Sequence, residues 1–250
     1  MRIGLTYDLQ TDPNDAAQAE FDPPRTIDAL IQALAGLGHE VVRLGNAEAL
    51  LACRDHVGSI DLVMNLAEGS STRCREAWVP MLLELGGVPY VGSDACAQAL
   101  GLDKVMSKRI AEASSVPTPP WRVVGRLEEL KRPGLPPYPL IVKPRAEGSG
   151  AGIDPGAVVR DDAALRRRVE WVLDRFRQPA LLEAFIPFGE LTVLLIGNGP
   201  PAALPAIQRP IDPASRLASH VATNPAWLSP LELTAELEAH AHALAVEMFQ

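Results

Sequence analysis

The chain has few cysteines, no basic block and no long apolar run, and each shortage narrows what it can be. Of its 250 residues only three are cysteine, Cys53, Cys74 and Cys96, scattered and odd in number. They match neither a disulfide framework nor zinc-ligand spacing, so the expectation is a reducing cytoplasm. No stretch reaches the length of a membrane span. The opening residues, MRIGLTYDLQ, carry no apolar signal-peptide core, which reads against secretion by that route. Nor is there a basic block. The formal charge is −8, and the densest basic cluster, Arg166-Arg167-Arg168, falls on a predicted helix and reads as a solvated face. Nucleic acid is therefore not the expected partner. Two nucleotide signatures are also missing. Gly4-Leu5-Thr6-Tyr7-Asp8-Leu9 does not provide the G-x-G-x-x-G turn of a dinucleotide-dependent oxidoreductase, and no G-x-x-x-x-G-K-[ST] occurs.

What remains is an ordinary globular composition, 47% hydrophobic and 22% charged. A chain of this length buries about 70–75% of its unfolded surface, as one large domain or two smaller ones. Apolar runs at 3–7, 41–44, 61–66 and 88–91 read as strands. They alternate with helical patterns at 27–37, closed by Gly38, at 47–57 and at 77–85. Such alternation predicts βαβ units and a parallel sheet. After Gly92 the pattern changes, through helical pieces at 94–100 and 103–114 and a proline-marked linker at 116–120. A boundary is expected near 92–103. The rest reads as α+β, with a helix capped by Asp161, strands at 180–185 and 190–196, and a turn at 197–199. Residues 200–229 show no period and suggest a loop or lid. Ser229-Pro230 is a predicted start for a last helix carrying Leu233, Leu237, Ala241, Leu244 and Met248 on one face.

The most informative stretch is YPLIVKPRAEGSGAGI, residues 138–153. An apolar strand ends in Lys143-Pro144, then a loop with Gly148, Gly150 and Gly152 leads to a second apolar run near Val158. Glycines let backbone N–H groups approach a ligand and form an anion nest, so a polyphosphate is one guest. An ordinary hairpin with a solvated lysine is the other reading. Asn65 and Glu68 stand where a strand leaves the sheet, the place where ligands gather in parallel sheets, or simply in a capped turn. Asp103 and Lys104 open a helix, as a cap and a surface lysine or as a second cation for phosphate. Glu183 and Glu190 flank a short connection. Either they are solvated, or they hold an adenine amino group and ribose hydroxyls.

The order DK…K, IVKP…EGSGAG, LLEAFIPFGELTV resembles the ATP-grasp superfamily, and within it the D-alanine–D-alanine ligase-like branch. NLAEG…REAWVPMLLELGGVPYVGSDACAQALGLDKVMSK is similar to the same branch, and the likeness runs from about residue 60 to 196. It implies a Rossmann-like parallel-sheet domain at 1–100, an ATP-grasp small subdomain with the glycine loop at 101–187, and the start of the large subdomain at 188–250. It also implies ATP as cofactor. Lys104 and Lys143 would neutralise the α- and β-phosphates, and Glu147, Gly148, Ser149 and Gly150 would lie in the loop that closes over them. Lys143 and Ser149 are the implied catalytic pair. Glu183, Ala184, Phe185 and Ile186 would hold adenine, and Glu190 the ribose. Glu68 and Arg75-Glu76 would lie toward a small amino-acid or peptide substrate. The family's reaction phosphorylates a carboxylate and lets an amine attack the acyl phosphate. No membrane or nucleic-acid partner is implied, and a homodimer is left open.

Two departures stand out. Gly150 replaces a serine that ligases of this branch often carry. The family's magnesium ligands, an aspartate and a Glu-x-Asn, have no counterpart beyond Glu190. Only Asp212, Glu232, Glu236, Glu238 and Glu247 remain there, so the magnesium ligands are expected outside this chain and the large subdomain is expected to be truncated. The readings are thus an ATP-dependent carboxylate–amine ligase and, as alternative, an ATP-binding module without ligase activity. The oxidoreductase fails on its missing glycine turn.

Overall fold

A computed structural model describes residues 1–53, 58–218, 229 and 231–249. The chain divides into two compact units, Met1–Asp103 and Lys104–Gln250.

In the first unit the elements run β1 (Arg2–Tyr7), α1 (Pro24–Gly36), β2 (Glu40–Gly45), α2 (Ala47–Ala52), β3 (Leu62–Leu66), α3 (Trp78–Gly86), β4 (Tyr90–Val91) and α4 (Ala95–Leu102). The strands form one sheet, in the order β2-β1-β3-β4, with every pair parallel. Leu44, Leu50, Ile60, Val63, Val79 and Leu83 make the core between sheet and helices. Gly38 lies in the left-handed region at φ 85° and its N–H returns to Ala35 O (2.9 Å), ending α1 as read from the sequence. The helix expected over 47–57 ends at Ala52 among the described residues, and 54–57 lie outside them. β4 is shorter than expected because the Val88 N–H is taken by Leu83 O (3.0 Å), in the turn that closes α3.

The second unit opens with α5 (Lys104–Ala113) and β5 (Trp121–Val124). Next come β6 (Leu140–Pro144), β7 (Val158–Val159), α6 (Asp162–Phe176) and β8 (Ala180–Ala184). Its main sheet has the order β5-β8-β6-β7, antiparallel throughout. Side chains alternate across a strand. Leu140 and Val142 of β6, with Ala180 and Leu182 of β8, therefore meet Leu165, Val169 and Val172 of α6 in a core of fully buried residues. Ile141, Lys143, Leu181 and Glu183 stand on the opposite face. Asp161 caps α6 as expected, accepting from Ala164 N (2.8 Å).

Four details correct the sequence reading. β5 was not foreseen. The strand expected over 190–196 is broken into β9 (Leu191–Thr192) and β10 (Leu195–Ile196). These pair with β12 (Ile207–Gln208) and β11 (Ala202–Ala203), two short strands inside the segment read as loop; 219–228 lie outside the described residues. α7 (Ala235–Phe249) starts later than Ser229-Pro230, because Thr234 Oγ1 accepts from Leu237 N (3.2 Å) and caps it, while Pro230 itself is outside the described residues. Finally, Arg168 is buried rather than solvated: it donates to Gly152 O (2.6 Å) and Asp154 Oδ2 (2.9 Å), with its guanidinium 4.0 Å over the Trp171 ring.

Candidate functional site

Antiparallel register sets one half of the second unit's site. Ile141 pairs with Glu183 and Lys143 with Leu181, so Lys143 and Glu183 are diagonal neighbours on one face, within reach of long side chains. The Lys143 ammonium meets Glu183 Oε2. α5 brings a second cation to the same carboxylate: Lys108 meets Glu183 Oε1 and donates to Thr118 Oγ1 (2.6 Å). Burial pushes the Glu183 carboxyl up, and the two ammonium groups, Lys143 foremost, outweigh it, so its pKa is held below the ordinary value. Lys104 lies one turn before Lys108 on α5, and residues four apart share a helix face. Its ammonium donates to the Glu147 carbonyl, at the start of the glycine loop.

The loop is shaped by its backbone. Ser149 (φ 46°) and Gly150 (φ 79°) both have positive φ, and Ala151 N closes the turn on Gly148 O (2.8 Å), the pattern of a primed turn. A left-handed serine costs about 1–2 kcal/mol, and such outliers gather at functional sites. Gly152 (φ 74°) cannot be another residue without movement, since a Cβ would lie 2.7 Å from Pro144 Cδ and 3.0 Å from Phe176 Cζ. Glu147 is held at the loop's entry by Gln178 Nε2 (2.5 Å).

Beyond β8 the chain leaves the sheet. The Ala184 N–H is donated to Pro120 O and the Phe185 N–H to Pro139 O (both 2.9 Å), so their remaining open backbone polarity is carbonyl. Ile186 and Phe188 are exposed. Glu190 immediately precedes β9, and its carbonyl accepts from Arg209 N (3.0 Å). The structure thus joins Lys143 to Glu183, and Lys104 to Glu147 at the start of the loop. Lys108 was overlooked in the sequence, although its position four after Lys104 is the signal that finds it.

The acids of the second unit do not fit a magnesium site. Asp212 is spent on its own loop, accepting from Ala214 N (3.1 Å), Ser215 N (3.2 Å) and Ser215 Oγ (2.6 Å). Glu238 accepts from Ala206 N (2.9 Å). Among the described residues the one trio of carboxylates with oxygens within 4.8 Å of each other, Glu20, Glu68 and Glu76, belongs to the first unit.

That trio lies at the carboxyl ends of the parallel strands. Asp8, after β1, accepts from Glu68 N (3.0 Å) and Gly69 N (2.7 Å), and Asn65, at the end of β3, accepts from Thr6 Oγ1 (2.7 Å). Arg75 is buried and pairs with Glu20 at 2.5 Å. A cavity of about 290 Å³ is lined by Glu20, Asp22, Asn65, Glu68, Glu76 and Gln98. Burial first, then Glu76 and Glu20, push the Glu68 carboxyl up to about 7. Three carboxylates against one guanidinium leave the crevice with a negative surplus.

No family model matches the chain. It is 32% identical over 195 residues to the uncharacterized protein y4sG of Sinorhizobium fredii, covering 74% of this chain and 55% of that one. It is 42% identical over 131 residues to the D-alanine–D-alanine ligase of Bordetella pertussis, covering 50% of this chain and 39% of that ligase. The chain thus spans about half or less of the length of these curated relatives. By fold it matches the crystal structure of D-alanine–D-alanine ligase from Bacillus anthracis complexed with ATP, with TM-score 0.68 and 22% identity, over 100% of this chain and 77% of that one. Among the described residues no helix is long and apolar enough to cross a membrane.

Proposed function

Because this chain is a D-alanine–D-alanine ligase-like relative within the ATP-grasp superfamily, we propose that it serves an ATP-dependent ligation of a carboxylate to an amine. The observation that carries the reading is the convergence of Lys104, at the head of α5, on the loop that follows Lys143. The triphosphate lies beneath Gly148, Ser149 and Gly150. Lys104 and Lys143 neutralise its oxygens, and Ser149 donates from hydroxyl and backbone; such preorganised positive groups are what phosphoryl transfer needs. Adenine rests against Glu183, Ala184, Phe185 and Ile186, with open carbonyls to accept from its amino group, and Glu190 takes the ribose. Residues 101–187 and 188–250 act as the two subdomains of this grip.

In the reaction, a substrate carboxylate oxygen attacks the γ-phosphorus, the bond to ADP breaks, and an acyl phosphate forms. The neutral amine then attacks the acyl carbon, and inorganic phosphate leaves with the bond's electron pair while the nitrogen's proton passes to it or to solvent. Orientation of the two reactants supplies most of the rate. The negative crevice of Glu20, Glu68 and Glu76 suits the ammonium group of an amino-acid or peptide substrate. Among the described residues, the acids of the second unit do not gather into a magnesium site. A cytoplasmic setting suits the three free, exposed cysteines.

A second reading is favoured by the dispersed acids of the second unit: the chain binds ATP and forms no amide. One experiment separates the two. ATP is titrated into the folded protein calorimetrically, and the chain is then incubated with ATP, magnesium and D-alanine while phosphate and dipeptide are measured. Binding with product supports the ligase, and binding without product supports the module. A folded chain that takes no ATP sinks both. Lys143→Ala is expected to weaken ATP by about 1.5–3 kcal/mol, the range of a charge-assisted contact. An unchanged dissociation constant removes Lys143 from the phosphates.

A further inference from the structure

We propose that Lys108 is the standing counter-ion of Glu183, a positioning residue that keeps this carboxylate ionised while Lys143 turns to a phosphate. The proposal rests on the ATP reading above. Its ground is the division of labour around one buried carboxylate. Each Glu183 oxygen has its own ammonium, Lys108 on Oε1 and Lys143 on Oε2. The two lysines differ in how firmly they are held. The Lys108 side chain is 11% exposed and has a second anchor in Thr118 Oγ1, whereas that of Lys143 is 20% exposed, at the end of a strand that runs into the loop. Lys143 is therefore the one placed to leave.

Among the described residues, two ammonium groups meet Glu183. α5 supplies Lys108, and β6 supplies Lys143. On its other side β5 presents Trp121 in register, and Glu112, one turn beyond Lys108, is spent on the Trp121 indole (2.7 Å). α6 covers the opposite face of the sheet. With Lys143 drawn to a phosphate, Lys108 is what remains to balance the buried charge. Without it, the carboxylate would be buried alone, a situation that raises a glutamate's pKa by several units and makes it take a proton.

That consequence is measurable and is not shared by a merely structural lysine. ATP is titrated calorimetrically at pH 7.5 into the wild type and Lys108→Met, each in two buffers of different ionisation enthalpy, which reports the protons taken up per ATP. Subtracting the wild type cancels the ionisation of ATP itself. Lys108→Met is expected to take up about half a proton or more beyond the wild type, and its dissociation constant is expected to rise up to about tenfold per pH unit faster. Lys108→Arg restores wild-type behaviour, and adding Glu183→Gln to Lys108→Met abolishes the extra uptake. Should Lys108→Met fail to fold, Lys108→Gln drops the charge while keeping a donor for Thr118 and carries the same expectation. ATP binding with no extra proton in these variants overturns the role of Lys108 alone. A wild type that binds no ATP overturns the nucleotide reading instead.

Discussion

The two units handle buried charge with opposite surpluses. In the first, three carboxylates gather around one guanidinium at the open end of a parallel sheet. In the second, two ammonium groups close on one carboxylate across an antiparallel sheet. In each, a buried pair is compensated and like charge is left over, negative in one unit and positive in the other. The two folds therefore present fields of opposite sign at these clusters. They also differ in redundancy. Glu183 has two cationic partners, whereas among the described residues the ion pair of Glu20 is with Arg75.

This difference in redundancy should show in stability. Arg75→Met strands a carboxylate that is 10% exposed and should cost about 3–5 kcal/mol in urea denaturation, as for a broken buried pair. Lys108→Met leaves Lys143 behind and should cost about half that or less. A larger loss from Lys108→Met would reverse the argument. Next come the two loop glycines. A Cβ on Gly69 (φ 68°) would lie 2.8 Å from the Arg75 carbonyl oxygen, and one on Gly152 would meet the Pro144 ring at 2.7 Å. Each alanine variant should lose about 2–4 kcal/mol from backbone strain and overpacking. Gly69→Ala should lose more, because a backbone obstacle yields less than a ring.

The smallest expected effect is the pH response of the crevice. The Glu68 carboxyl, at about 7 when folded against 4.5 when free, keeps its proton longer in the native state. The native state then binds more protons between these values, so stability falls as pH rises from about 4.5 to 7 and is flat beyond. Partial exposure discounts the effect to on the order of 2 kcal/mol. Glu68→Gln should flatten that slope in denaturation curves at pH 5 and 8. A slope that persists assigns it elsewhere. Nothing comparable is expected from Glu183, whose carboxyl is held below the ordinary range.

Much of the fold was legible because period and punctuation agree with it. β1, β2, β3 and β6 are apolar runs bounded by turns, and Asp161 and Gly38 announce the ends of their helices. β5 was missed because Trp-Arg-Val-Val is only four residues behind a proline-rich linker and shows too little alternation to stand out. α7 was started early because a Ser-Pro pair outcompeted Thr234, whose capping role appears only in three dimensions. Arg168 was misread by its neighbours: it lies three after Leu165 and four before Val172, which places it on the apolar stripe. Lys104, Lys143 and the glycines could be marked from residue type and spacing. The pairing of Lys143 with Glu183 could not, since it depends on strand register, and the elevated Glu68 depends on three acids drawn together from separate turns.

β6 carries two obligations on five residues, alternate side chains filling the core and bearing the cation. Insert or delete a single residue ahead of Leu140 and keep the pairing with β8, and Lys143 trades faces with a valine or a proline. Such an indel therefore damages the core and the Lys143–Glu183 pair together, whereas substitutions can hit either one alone. Along this strand, length should be far less forgiving than chemistry.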